Sequence, residues 1–78
     1  IKVTPNKENK VLVVMDALRD QLDVEVTIGE EKYKISEKSE GTKEFEFNYM
    51  AGEGEDAVRI RFDRISASIP RIYTIKVV

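Results

Sequence analysis

From Leu22 to the C-terminus, apolar and polar residues alternate with little interruption. Leu22, Val24, Val26 and Ile28 fall on one side, and Asp23, Glu25 and Thr27 on the other. A period of two is the mark of a strand with one buried face. Gly29-Glu30-Glu31 reads as a tight turn, after which Tyr33 and Ile35 resume the alternation, so the segment predicts a β-hairpin. The polar stretch Ser36 to Thr42 predicts a loop. Phe45, Phe47 and Tyr49 alternate with Glu44, Glu46 and Asn48 in a further strand. Ala51-Gly52-Glu53-Gly54-Glu55 has the composition of a loop. Val58, Ile60 and Phe62 alternate with Arg59 and Arg61 up to Asp63, Ser66 to Pro70 predicts a turn, and Tyr73, Ile75 and Val77 close the chain as a last strand.

The first third admits two readings. Val11-Leu12-Val13-Val14-Met15 is apolar and mostly β-branched, which suits a strand. Val11, Val14, Met15, Leu18 and Leu22 also recur at helical spacing, with Asn6 placed to cap, so the alternative is α+β with a helix over residues 7–22 on an antiparallel sheet. A run of valines is stiff at χ1 and mediocre in a helix, and the strand is preferred. Its inward row is then expected to be Leu12 and Val14. Val11, Val13 and Met15 form the opposite phase, expected either to pack under a loop or to mark contact with an adjacent domain or subunit. With Ile1–Thr4 as an edge strand, the count reaches about seven short strands. The expected fold is all-β, an antiparallel β-sandwich, in one domain spanning residues 1–78.

The order of these segments resembles the immunoglobulin-like, fibronectin type III-like modules of prokaryotic surface and secreted proteins. The resemblance runs from Val11 to the end: VLVVMDA ending in Asp16, LDVEVTIGEEKYKI with its glycine turn, GTKEFEFNY, AVRIRFD ending in Asp63, and IYTIKVV. The first strand is short, and neither a Trp nor a Cys pair of the antibody type is present. The resemblance implies a non-catalytic role as spacer, stabiliser or adhesive unit of an extracellular or cell-envelope protein. Its partners would be neighbouring domains of the same chain or another subunit of a surface assembly.

Composition narrows the chemistry. The 78 residues include neither Cys nor His, which removes disulfides, thiol nucleophiles and the commonest zinc ligands and general base. Thirteen basic against fifteen acidic residues leave a net charge of −2, the wrong sign for nucleic acid. The Arg59, Arg61, Arg64 and Arg71 group does not reverse it. No apolar run approaches the ~20 residues of a spanning helix, so direct membrane insertion is not expected. Few Asn, Gln and Met beside abundant Glu, Lys and Arg is a pattern associated with thermophile proteins. The opening at Ile1 without Met leads to the expectation of a processed protein or a piece of a longer one.

Carboxylates remain the richest chemistry. Glu44 and Glu46 fall on the polar phase of a strand and are expected to solvate a sheet face, so the chain is not expected to be an enzyme. Asp16, Asp20 and Asp23 bracket one connection and Asp63 ends a strand, which makes these four the candidate calcium ligands; Glu53, Glu55 and Asp56 form a second acidic group. A calcium- or carbohydrate-binding accessory domain of a secreted enzyme is therefore the alternative function. For sugar the aromatics are badly placed, because Tyr33, Phe45, Phe47, Tyr49, Phe62 and Tyr73 all fall on the inward phase. The edges Ile1–Thr4 and Ile72–Val78 offer a second route to protein contact.

Overall fold

The computed structural model describes all 78 residues and contains six strands and no helix: β1 (Glu8–Ala17), β2 (Gln21–Ile28), β3 (Glu31–Lys38), β4 (Lys43–Met50), β5 (Ile60–Arg64) and β6 (Pro70–Val77). They form two antiparallel three-stranded sheets, β4-β1-β6 and β3-β2-β5. Residues 7–22 are thus two strands and a short connection, and the helical alternative falls. The seventh strand is also absent: Ile1–Thr4 contributes a single bridge, Lys2 to Ala57. Pro5 and Asn6, the latter at φ +56, turn the chain before that pairing can lengthen.

Only β2 and β3 form a hairpin within one sheet. Its two-residue loop starts with Gly29 at φ +63, the glycine-first pattern of a tight hairpin. A Cβ at Gly29 would stand 3.0 Å from the Tyr49 hydroxyl and 3.2 Å from Val58 Cγ2, so both backbone angle and space require glycine. The other connections cross between sheets, and the strand orders place β1 and β2 at the centres of their respective sheets.

Those two centres carry the core. Val11, Val13 and Met15 of β1 and Val24, Val26 and Ile28 of β2 are completely buried. They belong to one apolar cluster that also takes Phe47, Tyr49 and Val58. The phase expected for β1 is therefore inverted. Val11, Val13 and Met15 point into the core, and Leu12 and Val14 lie half-buried on the outer face. The reason lies in the neighbours. Across the sheet, Val11 stands opposite Phe47 and Val77, and Val13 opposite Phe45 and Ile75, whereas Leu12 stands between Glu46 and Lys76. Cross-strand partners share a face, so the apolar rows of β4 and β6 select the odd residues of β1.

The last strand departs from simple alternation. Between Val14 and Met15 the register with β6 shifts: Val14 pairs with Thr74 but Met15 pairs with Ile72. Tyr73 is the residue in excess and is half-exposed instead of joining the inward row.

Met15→Ala is expected to cost about 2–5 kcal/mol, a large share of the stability of so small a domain. Leu12→Ala is expected to cost under about 2 kcal/mol. Urea unfolding of both variants checks the phase of β1; an equal or reversed cost contradicts it. By the same measurement Gly29→Ala loses at least about 1–2 kcal/mol, the penalty of a left-handed backbone with a Cβ.

Candidate functional site

Asp16 is the most enclosed charge in the protein, 6% exposed although it stands on the outward phase of β1. Arg71, its cross-strand partner on β6, covers it with a two-pronged contact: Nε donates to Oδ1 at 2.8 Å and Nη2 to Oδ2 at 2.9 Å. The Tyr73 hydroxyl lies 3.1–3.2 Å from the same two oxygens. The register shift that pushes Tyr73 out of the core delivers it to this carboxylate. The Arg71 hydrogen bonds outweigh the cost of burial and hold the Asp16 carboxyl below its ordinary value of 3.8. Guanidinium and phenol both engage this carboxylate.

The other expected calcium ligands are elsewhere. Asp23 lies on the outer face of the β3-β2-β5 sheet, where it accepts the Ser36 hydroxyl at 2.6 Å and Gln21 Nε2 at 3.0 Å; those bonds lower its pKa. Asp63 shares that face and accepts Arg61 Nε at 2.8 Å. Asp20 sits in the β1–β2 connection, with its carbonyl accepting the Ser39 N–H. Asp16 and the Asp23–Asp63 side are thus on opposite outer faces, and no cluster of three or more acidic residues is disposed to hold a metal. The expected convergence of Asp16, Asp20, Asp23 and Asp63 on calcium is not what the strands build. Ending a strand near the same pole does not place side chains on the same face.

The expected contact patch is likewise corrected: Val11, Val13 and Met15 are interior residues. The large apolar side chains most exposed to solvent are Leu18, Met50, Ile72, Tyr73 and Val78, scattered over connections, strand ends and the β6 edge.

Two open hollows lie at opposite ends of β4. One, about 300 Å³, is bounded by the β3–β4 connection over Met15, Leu22 and Phe45. The other, about 340 Å³, lies between the Gly29–Glu31 turn and Tyr49, Met50 and Glu55. Tyr49 lines the second hollow and Tyr33 bonds to Glu31 at its rim, so two tyrosines engage acids there. The Tyr49 hydroxyl donates to Glu55 Oε1 at 2.7 Å, and that oxygen also accepts the Gly52 N–H at 3.1 Å. The pKa of Tyr49 is pushed up to about 12, first by the Glu55 hydrogen bond and then by burial. The Tyr33 hydroxyl has one proton for two acceptors, the Asn48 carbonyl at 2.7 Å and Glu31 Oε2 at 2.8 Å. Burial, followed by Glu31, pushes it up to about 12 as well. Both phenols stay protonated and donate, so neither offers a base to a substrate. Glu55, one of the second acidic group, fixes the Gly52–Glu55 loop to Tyr49 and is held low by that phenol and the Gly52 N–H.

Arg71 and Tyr73 as partners of Asp16 escape sequence reasoning, since a one-residue register shift has no local signature in IYTIKVV. The Tyr49–Glu55 link has only a faint one, an acidic glycine-rich loop directly after a strand that ends in an aromatic residue.

Comparison with protein-family models, with curated proteins and with solved structures finds no match to this chain.

The Asp16 clasp makes stability depend on acid in a defined direction. Because folding lowers the Asp16 pKa, its contribution is complete above 3.8 and is lost as pH falls from there through the depressed folded value. The melting temperature is expected to fall between pH 5 and pH 2. Asp16→Asn should lower it at neutral pH and flatten part of that slope, Asp23 and Glu55 supplying the remainder. Thermal unfolding across pH by circular dichroism is the check, and an unchanged slope in the variant refutes the role.

Proposed function

We propose that this chain is an immunoglobulin-like β-sandwich module with a non-catalytic role, a structural or protein-interaction unit of an extracellular or cell-envelope protein. The observation that carries this reading is the single apolar cluster to which both sheets contribute. Its strand members come from β1 and β4 of one sheet and β2 of the other, and the two hollows lie open at opposite ends of β4. At one end Tyr33 and Tyr49 donate to Glu31 and Glu55, and at the other Glu37 is paired with Lys43, which suits a scaffold better than a reaction centre. Partners on this reading are neighbouring domains of the same chain or another subunit of a surface assembly.

Protease treatment of intact source cells tests the location. Peptides of this module are expected in the supernatant before lysis, and their recovery only after lysis overturns the assignment.

A further inference from the structure

β5 closes one side of the β3-β2-β5 sheet, and its backbone bonds show which way each peptide points. The Gly29 N–H donates to the Arg59 carbonyl at 2.9 Å and the Ile65 N–H to the Asp23 carbonyl at 3.0 Å. In the observed register, Thr27 opposite Arg61 and Glu25 opposite Asp63, the odd residues of this strand therefore bond to β2. The N–H and C=O groups of Ile60, Phe62 and Arg64 point the other way, off the edge of the sheet. That same side already accepts backbone two residues earlier, where Val58 and Ile1 exchange bonds of 2.8 and 2.9 Å. From Ile60 to Arg64 no strand of these 78 residues lies along it.

The other edges are guarded. β3 carries Lys32, Lys34 and Lys38 along its length. β4 carries Glu44 and Glu46, and the Tyr33 hydroxyl already occupies its Asn48 carbonyl. β6 begins with Pro70 and is irregular around Tyr73. β5 has neither proline, irregularity nor a row of one charge.

We propose that β5 is a self-association edge: two copies of this chain pair β5 to β5, antiparallel about a two-fold axis at Phe62, and so join two β3-β2-β5 sheets into one. The outward peptides set Phe62 opposite the partner's Phe62 and Ile60 opposite the partner's Arg64 as hydrogen-bonded pairs. Between them fall the non-hydrogen-bonded positions, where facing side chains approach most closely. There Arg61 meets the partner's Asp63, and Asp63 the partner's Arg61. Within one copy Arg61 Nε already lies 2.8 Å from Asp63 Oδ2 on an accessible face. The second copy extends that pair into an alternating square of four charges. Moving the axis to Arg61 or to Asp63 sets like charge against itself, so charge selects the Phe62 register. The chain leaves the line after Ile65, at Ser66 with φ +58, which confines pairing to the five residues of β5. So short an edge buries far less than the ~1,200 Å² of a standard interface, and the dimer is correspondingly weak.

Sedimentation of the 78-residue protein from micromolar to millimolar concentration tests the pairing. A monomer–dimer equilibrium is expected, weakened by added salt. Arg61→Asp and Asp63→Arg each set like charges across the axis and are expected to weaken the dimer roughly tenfold. The double variant Arg61→Asp/Asp63→Arg restores opposite charges and is expected to recover it. All three alter solvent-facing side chains, and unchanged far-ultraviolet dichroism verifies their fold. In the dimer, amide exchange is expected to slow at Ile60, Phe62 and Arg64. A monomer throughout the range, a dimer indifferent to either single reversal, or a double variant that fails to recover overturns the proposal.

Discussion

Burial of one complete row on each central strand is the constraint on which the rest of this structure depends. β1 and β2 are flanked on both sides by other strands, and their inward rows have almost no exposure. Shifting either strand by one residue would exchange its inward row for the outward one. For β2 that would carry Asp23, Glu25 and Thr27 into the apolar cluster. The penalty for burying such groups without partners is several times the worth of an ordinary contact, so β2 has one tolerable register. β1 is less constrained by its own side chains, because both its phases contain large apolar residues. It inherits its phase from Phe45, Phe47, Ile75 and Val77 on its neighbours.

That difference explains what could be read directly from the amino acids. β2, β4 and the first half of β3 alternate between apolar and polar or charged residues, and their existence and buried faces are legible; Ser36, Glu37 and Lys38 break the alternation, so the end of β3 reads as loop. The β2–β3 turn is legible because glycine at its first position has a backbone reason. β1 is legible as a strand but not in its phase: within VLVVM both rows look alike. The deciding signal lies outside that run, where Glu8, Lys10 and Asp16 share the even phase with Leu12 and Val14, while Asn9 and Ala17 share the odd one. Charges bracketing a row are a better guide to its face than the apolar residues within it. The candidate sites were less legible still. Asp16 on β1, Asp20 in the loop after it, Asp23 on β2 and Asp63 on β5 lie near strand ends, whereas a strand presents side chains by parity. Asp16 and Asp63 were therefore separated onto different faces by rules that the sequence already contained. Tyr73 is another case, because a register shift depends on the partner strand and leaves no mark in its own.

The crossings between sheets create a second demand, met by small polar residues. A strand that leaves one layer for the other gives up its ladder, and its terminal N–H groups need new acceptors. Ser39, in the β3–β4 connection, accepts the Ala17 N–H at the end of β1, 3.1 Å away. Ser68, in the β5–β6 connection, accepts the Asp23 N–H and donates to the Gln21 carbonyl, each at 3.0 Å. Asn9 does the same for the N-terminal turn: its Oδ1 accepts the Thr4 N–H, and its Nδ2 donates to the Thr4 and Lys7 carbonyls. Ser68 and Asn9 are buried, and no buried side-chain polar atom in the protein lacks a partner. Each thus fastens a connection to a strand at a site too enclosed for water to replace it, where loss of the side chain would strand a backbone donor.

These fastenings and the Asp16 clasp share a geometric logic. Apolar burial is non-directional and cannot by itself fix how far a strand slides or where a connection enters a sheet. Hydrogen bonds supply that information at the positions where the ladder is interrupted. Arg71 and Tyr73 grip Asp16 at the register shift of β6, Ser39 and Ser68 anchor two crossings, and Glu55 ties the loop after β4 to Tyr49. The polar groups most readily mistaken for a ligand site are therefore concentrated where regular pairing fails. In a sheet protein with short strands and many crossings, an acid held by an arginine and a tyrosine follows from backbone discontinuity before any ligand is invoked.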